Sequence, residues 1–254
     1  MTPPVHLSAS AFTHQGALRA DNEDTIALGS WVRSAPMTAP ERFERESAEG
    51  VPLIALVADG MGGHAAGEVA SRVVAERLVE QAARAVDETA LAVLLQDVNA
   101  ELFELMRAQP TLQGMGTTVA GIVPLPEACL VFNVGDSRVY RLDTAGLELL
   151  STDDTPGPKL ADGRTAAIGS HLITQTLGGH YHEQIVPHLL RDPPGGRQRY
   201  LICSDGLSDL VSRSEIEALL EDDPVASTMA LFGAAMARGG RDNISLILLD
   251  LRRG

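Results

Sequence analysis

Two cysteines among 254 residues are too few for a disulfide framework. Cys129 and Cys203 each sit inside an apolar run, so both are read as buried thiols of a protein in a reducing compartment. No uninterrupted apolar stretch reaches the roughly 18 residues of a membrane-spanning helix. The first residues also lack the basic start and apolar centre of a secretion signal. These absences point to a cytoplasmic protein with no membrane partner. Basic residues are outnumbered, 20 Lys and Arg against 34 Asp and Glu, for a net charge of −14. That balance argues against nucleic acid as the main partner, because phosphate binding needs a cationic footprint. No Cys-rich or His-x-x-x-His spacing suggests zinc. The length suits one domain, residues 1–254, with a core of its own and no need of a second copy.

Short apolar runs at 51–58, 118–123, 130–134, 200–204 and 244–251 are mostly rich in β-branched residues and bounded by Gly, Pro or Asp, and they are read as core strands. Weaker strand patterns lie at 7–13, 25–28, 138–142 and 184–190. Helical periodicity runs through Ala66, Val69, Val73, Val74, Leu78, Ala82 and Val86. A second helical stripe follows through Leu91, Leu94, Leu95, Val98, Leu102, Leu105 and Met106. Two shorter helices are marked by their starts, Ser214-Glu215-Ile216-Glu217 as a capping box and Asp223-Pro224 as N-cap and first-turn proline. Strands and helices do not alternate, which disfavours a doubly wound parallel sheet and favours a layered α/β sandwich with largely antiparallel sheets. Residues 33–50 read as a surface excursion. Residues 151–180, rich at first in Asp, Gly and Pro, read as a flap.

The chemistry gathers in one recurring construction. Val57-Ala58-Asp59-Gly60-Met61-Gly62-Gly63-His64 runs an apolar strand into an acid and glycines, and Tyr200-Leu201-Ile202-Cys203-Ser204-Asp205-Gly206 does so again. Asn133-Val134-Gly135-Asp136-Ser137-Arg138 and Gly239-Gly240-Arg241-Asp242-Asn243 add acids beside glycine. Each Asp-Gly alone is ordinary turn chemistry. If the strands are neighbours, however, Asp59, Asp205 and Asp242 converge. Such a cluster repels itself unless a divalent cation sits in it. An all-oxygen set selects Mg²⁺ or Mn²⁺. Arg19-Ala20-Asp21-Asn22-Glu23-Asp24 supplies more acid and a guanidinium able to fork onto phosphate oxygens, or else is a charged turn before a strand.

Arg19-x-x-Asn22-Glu23-Asp24, Asp59-Gly60-Met61-Gly62-Gly63-His64, Gly116-Thr117-Thr118, Gly135-Asp136-Ser137-Arg138, Ser204-Asp205-Gly206-Leu207-x-Asp209 and Asp242-Asn243 resemble, in this order, the motif series of the metal-dependent serine/threonine protein phosphatases, the type 2C family, in its bacterial form. The resemblance covers nearly the whole chain. It implies an α/β (α+β) fold, a four-layer α-β-β-α sandwich with two central, mainly antiparallel sheets flanked by helix pairs. It also implies two Mn²⁺ or Mg²⁺ ions, with Asp59 bridging both and Asp205 and Asp242 holding one. The Gly60 carbonyl and Glu23 would approach the other directly or through water, and Arg19 would clamp the substrate phosphate. Asp136 and Asp209, sharing Asp205, match a weaker third metal position. Catalysis would be direct attack by a metal-bridging hydroxide on phosphoserine or phosphothreonine in proteins, opposing a bacterial Ser/Thr kinase. No Cys-x5-Arg loop offers a covalent route.

His64 has two readings, proton donor to the leaving group or helix-terminal hydrogen-bonding residue. The other histidines form no ligand set and are read as surface or polar structural residues. Gly116-Thr117-Thr118 is read as structural and Gly178-Gly179 as the turn closing the flap. Thr152-Asp153-Asp154-Thr155 replaces the Asp-His pair commoner in the family. Two other functions stand beside the leading one. A metal-free pseudophosphatase acting as a binding module would be marked by loss of Asp59, Asp205 or Asp242, all intact here. A small-molecule phosphomonoesterase would be marked by an enclosed pocket rather than an open cleft.

Overall fold

The structure, a computed structural model, describes residues 5–46, 53–62, 65–156, 172–179 and 183–253. The first half of the chain forms β1 (Val5–His14), β2 (Asp24–Leu28), β3 (Trp31–Arg33), β4 (Glu41–Glu46), β5 (Ala55–Met61), α1 (Ala65–Glu80), α2 (Glu88–Ala108), β6 (Gly116–Thr117) and β7 (Val119–Leu125). The second half forms β8 (Ala128–Val134), β9 (Arg138–Asp143), β10 (Gly146–Leu149), β11 (Leu177–Gly178), β12 (His188–Asp192), β13 (Arg197–Cys203), α3 (Asp205–Ser208), α4 (Arg213–Leu219), α5 (Pro224–Ala237) and β14 (Ile244–Arg253). One sheet runs β10-β9-β13-β14-β1-β4. The other runs β11-β6-β5-β7-β8-β12, with β2 on the free edge of β5 and β3 beyond it. The strand pairings within both sheets are antiparallel.

The period-two alternation of the strands explains the layering. On β14, Ile247, Leu249 and Leu251 enter the core between the sheets, while Leu246 and Leu248 face Leu207, Ile216 and Leu231 of the C-terminal helices. On β5, Ala55 and Val57 face the other sheet, while Leu56 and Ala58 pack under Val74 and Leu78 of α1 and Leu95 and Val98 of α2. Both faces of each central sheet are therefore buried, and the order of layers is helix, sheet, sheet, helix. Cys129 lies in the core between the sheets and Cys203 in the core beneath the C-terminal helices; both are buried and neither is in a disulfide. Burial pushes the Cys203 thiol up to about 12.

Several elements differ from the sequence expectations. Residues 33–50 are not simply an excursion. Within them β4 pairs with β1, placing Ala9 opposite Phe43, and Phe43 meets Trp31 edge-on with ring centroids 5.1 Å apart. The alternating charges of Glu41-Arg42-Phe43-Glu44 suit an edge strand, where they discourage pairing with another chain. β5 is not complete at Ala58; it carries on through Asp59 and Gly60 to Met61 because β2 and β6 pair with that extension. The strand expected at 184–190 starts only at His188, after Pro187. The capping box of α4 belongs to Ser212 and Glu215, not to Ser214, because Ser212 is the residue with extended backbone before the first helical turn. Asp223 caps α5 as expected, accepting from the Ala226 N–H at 3.2 Å.

Candidate active site

The antiparallel register sets the site. Asp24 at the start of β2 stands opposite Asp59 on β5, so the two acidic motifs become neighbours through backbone pairing alone. Thr117 and Thr118 hold the Asp59 backbone: the Asp59 carbonyl accepts from the Thr118 N–H and the Thr117 hydroxyl, both at 2.9 Å. The Thr118 and Ser137 hydroxyls lie 2.7 Å apart, linking this strand to the turn that carries Asp136. Asp205 opens α3, and Asp209 closes it with its N–H donating to the Asp205 carbonyl at 2.8 Å. Asp242 precedes β14.

Asn243 and Ser204 bring the remaining loop in. The Asn243 side chain accepts from the Glu23 N–H at 2.8 Å and donates to the carbonyls of Gln15 and Asp21 at 3.1 and 2.9 Å. Ser204 Oγ donates to Asp24 Oδ2 at 2.9 Å and accepts from the Ser245 N–H at 3.1 Å. Asn22 donates to the Thr13 hydroxyl and the Ser34 carbonyl. The loop at 15–23 is thereby tied across to β14 and β13.

Together these segments line one cleft of about 580 Å³, partly open to solvent. Arg19, Glu23, Asp59, Gly60, Asp136, Asp205, Asp209 and Asp242, each singled out in the sequence, all border it. His64 lies outside the described residues. Sequence reasoning quoted Asn243 and Arg241 beside Asp242 but gave neither a role, although the Asn243 amide does the bridging and Arg241 borders the same cleft. Both stood next to an acid already noticed, and only side-chain contacts distinguish them. Gly60 also serves the packing. A Cβ there would stand 2.3 Å from the Gly67 carbonyl oxygen and 2.6 Å from that of Glu23, so the missing side chain lets the first turn of α1 and the Glu23 loop close on β5.

The charges crowd each other. The Asp59 carboxyl is held well above the ordinary carboxylate range by burial and by repulsion from Asp24, Asp205, Asp136 and Asp242. Asp136 is pushed up to about 7 by burial and by Asp205, Asp153 and Asp209. Asp24, fully buried, is also pushed up to about 7, chiefly by burial, against the hydrogen bonds of Ser245 and Ser204. Glu23 is raised by burial, with Arg19 opposing. Arg19 itself forms an ion pair with Asp242 at 2.6 Å, and its guanidinium is held more firmly protonated by that partner, against desolvation.

As the side chains stand, no three His, Cys, Asp or Glu residues among those described are gathered tightly enough to hold one ion. The donor set nonetheless fits a hard dication. The oxygens it offers are carboxylates and backbone carbonyls, and the mutual repulsion that raises Asp59 and Asp136 is the repulsion a divalent charge would remove.

The described ends of residues 151–180 are tied to each other, to the turn after β8 and to β12. Asp154 accepts from the Gly135 N–H at 2.9 Å and from Gln175 Nε2 at 3.0 Å, and its other oxygen lies 2.8 Å from His188 Nε2. The Thr174 N–H reaches the Asp154 carbonyl at 2.7 Å. One carboxylate thus fastens the arm at 172–179, whose Ile173 borders the cleft, to the turn before Asp136. An Asp–His contact absent from the local sequence at 152–155 is made in space by His188. Gly178 on β11 pairs with Gly116 on β6, so the Gly178-Gly179 turn seals against the threonines that hold Asp59.

Comparison with known proteins agrees with this arrangement. The family model described as protein phosphatase 2C matches residues 42–242. The serine/threonine protein phosphatase PstP of Mycobacterium tuberculosis is 34% identical over 256 residues, covering 96% of this chain; the chain spans 45% of the length of PstP. The serine/threonine phosphatase stp of Listeria monocytogenes is 31% identical over 257 residues, covering 94% of this chain and 93% of stp. The crystal structure of the PstP catalytic domain in complex with two manganese ions superposes with a TM-score of 0.76 at 31% identity, covering 98% of this chain and 99% of that one. Stp1 from Staphylococcus aureus gives a TM-score of 0.76 at 25% identity, over 95% and 93% of the two chains. The acidic cleft at one end of two packed antiparallel sheets, the ordered motifs that build it and these likenesses coincide: the chain belongs to the protein phosphatase 2C family.

Proposed function

We propose that this protein is a metal-dependent phosphatase that hydrolyses phosphoserine and phosphothreonine in proteins, with the whole chain working as one domain and residues 151–180 as its flap. The observation that carries this reading is the meeting of Glu23, Asp59, Asp136, Asp205, Asp209 and Asp242, drawn from five separate stretches of sequence, around a single cleft that also holds Arg19. Asp59, Asp205 and Asp242 would hold Mn²⁺ or Mg²⁺, with Glu23 and the Gly60 carbonyl on the side facing β2. Asp136 and Asp209, together with Asp205, would form a weaker third position. A pair of such ions supplies Lewis acidity that activates water at neutral pH and offsets the negative charge of an in-line displacement.

The protein's own groups do the rest. Arg19 turns its guanidinium from Asp242 toward the phosphoryl oxygens, where two parallel N–H donors match the geometry of the group. The Thr117 and Thr118 contacts keep Asp59 from rotating with β5. Asn243 keeps Glu23 and Asp242 on the same side of the cleft. His64 would donate a proton to the leaving hydroxyl or cap α1. The partly open mouth of the cleft suits a phosphorylated protein segment better than a small metabolite.

We place the protein in the cytoplasm of a bacterium, as a monomer acting in signalling against a Ser/Thr kinase; among the described residues no helix is long and apolar enough to cross a membrane. The test is hydrolysis of p-nitrophenyl phosphate and of a phosphothreonine peptide with Mn²⁺. Activity is expected to vanish in EDTA and in Asp59→Asn, with the fold retained by circular dichroism. Undiminished turnover in EDTA would overturn the assignment.

A further inference from the structure

We propose that Arg241 is a specificity-determining residue that binds a negative charge on the substrate chain beside the phosphorylated residue, either a carboxylate or a second phosphate; this rests on the phosphatase reading above. Arg241 lies in the turn between α5 and β14, and that turn is fixed on both sides. Before it, Gly239 and Gly240 adopt positive φ of 106° and 46°, and the Gly240 carbonyl accepts from the Ala17 N–H at 2.7 Å. After it, Asp242 packs so closely on the opposite loop that a Cβ on Gly16 would stand 2.1 Å from its carbonyl oxygen. The backbone of Arg241 is therefore held against the loop that leads into Arg19.

Its side chain is not held in the same way. It is exposed and borders the cleft, and among the described residues it makes no hydrogen bond or ion pair. That is unexpected in a cleft bordered by six acids, where the other guanidinium, that of Arg19, is committed to Asp242. The two arginines thus have different availability. Arg19 has a carboxylate partner that metal binding would engage, so its fork is the one displaced onto the reacting phosphate. Arg241, on the abutting turn, is left with a rigid base and an unengaged planar fork, the arrangement that binds an anion with least loss of freedom. Among the described residues that border the cleft, Arg241 is the guanidinium without a carboxylate partner, so an anion next to the phosphorylated residue is attracted there where the neighbouring acids would repel it.

The experiment measures kcat/KM of the Mn²⁺-loaded full chain on three phosphothreonine peptides that differ at one flanking position, carrying glutamine, aspartate or a second phosphothreonine. The wild type is expected to favour the charged flanks by on the order of fivefold, the size of one exposed charge pair. Arg241→Ala brings the ratio near one, Arg241→Glu inverts it, and Arg241→Lys keeps part of it; raised salt shrinks it in the wild type only. A preference for the second phosphate alone assigns the position to phosphate, and a preference for both assigns it to anions in general. A ratio that is the same in the wild type and Arg241→Ala overturns the proposal while leaving the phosphatase reading intact. Failure of the wild type to hydrolyse any of the peptides overturns both.

Discussion

Replacing Asp136 by asparagine keeps the shape of the side chain and removes a charge that the folded protein accommodates poorly. Asp136 is held near 7 rather than its ordinary 3.8, which amounts to a ceiling on the order of 4 kcal/mol when the group ionises in the folded chain. Because the folded-state value lies above the unfolded one, the native state keeps a proton that the unfolded chain gives up. Stability therefore falls as pH rises from about 4 to about 7, and stays lower above that window. At pH 8 nearly the whole penalty is present; at pH 5 less than half remains. Relaxation around the turn at 135–138 lowers the realised figure, so Asp136→Asn should stabilise the metal-free protein by about 1–2 kcal/mol at pH 8, raising Tm by roughly 2–8 °C. The gain at pH 5 should be clearly smaller. Thermal melts in EDTA at the two pH values measure it. A variant that is destabilised equally at both would show that Asp136 is not repelled by Asp205, Asp153 and Asp209, and the electrostatic description of the cleft would be wrong.

Two further outcomes follow from the contacts. Asp154→Ala leaves the Gly135 N–H and the Gln175 amide without their carboxylate; at about 1–3 kcal/mol for each donor stranded from solvent, melts should show a loss of several degrees, with Asp154→Asn recovering part of it. Gly206→Ala would bring a methyl group to 1.9 Å from the Asn243 carbonyl oxygen. Because that oxygen belongs to backbone pinned by β14, the substitution should cost more than about 3 kcal/mol, whereas Gly233→Ala, exposed inside α5 with open space around it, should stabilise by up to about 1 kcal/mol; urea titration of the two variants measures both.

The layers and the acids were legible in the sequence for different reasons. Core strands such as β14 announce themselves because both faces are buried and the run from Ile244 to Leu249 is almost wholly apolar. The two long helices show single apolar stripes, Leu91 to Met106 most plainly. β4 escaped notice because an edge strand carries charge, and one Phe43 per six residues is too sparse a signal. β6 and β11 are two-residue strands made by pairing across the chain, β6 with the end of β5 and β11 with β6; no local pattern encodes them.

The candidate ligands were visible as acids beside glycine, but the means of gathering them was not. The register that sets Asp24 against Asp59, the Asn243 amide that ties the loop at 15–23 to the start of β14 and the Asp154 carboxylate that reaches His188 are long-range contacts. Neither propensity nor periodicity reports such contacts. Arg241 was given no role for the opposite reason: what distinguishes it is the lack of a described partner, which only coordinates reveal.

The most direct measurement of the central claim is anomalous diffraction at the manganese edge from crystals of the chain grown with Mn²⁺. Two strong peaks should lie in the cleft within coordination distance of Asp59, with Asp205 and Asp242 turned onto at least one of them and Arg19 released from Asp242. Peaks elsewhere, or a cleft without manganese at saturating concentration, would contradict the claim that these carboxylates share divalent ions.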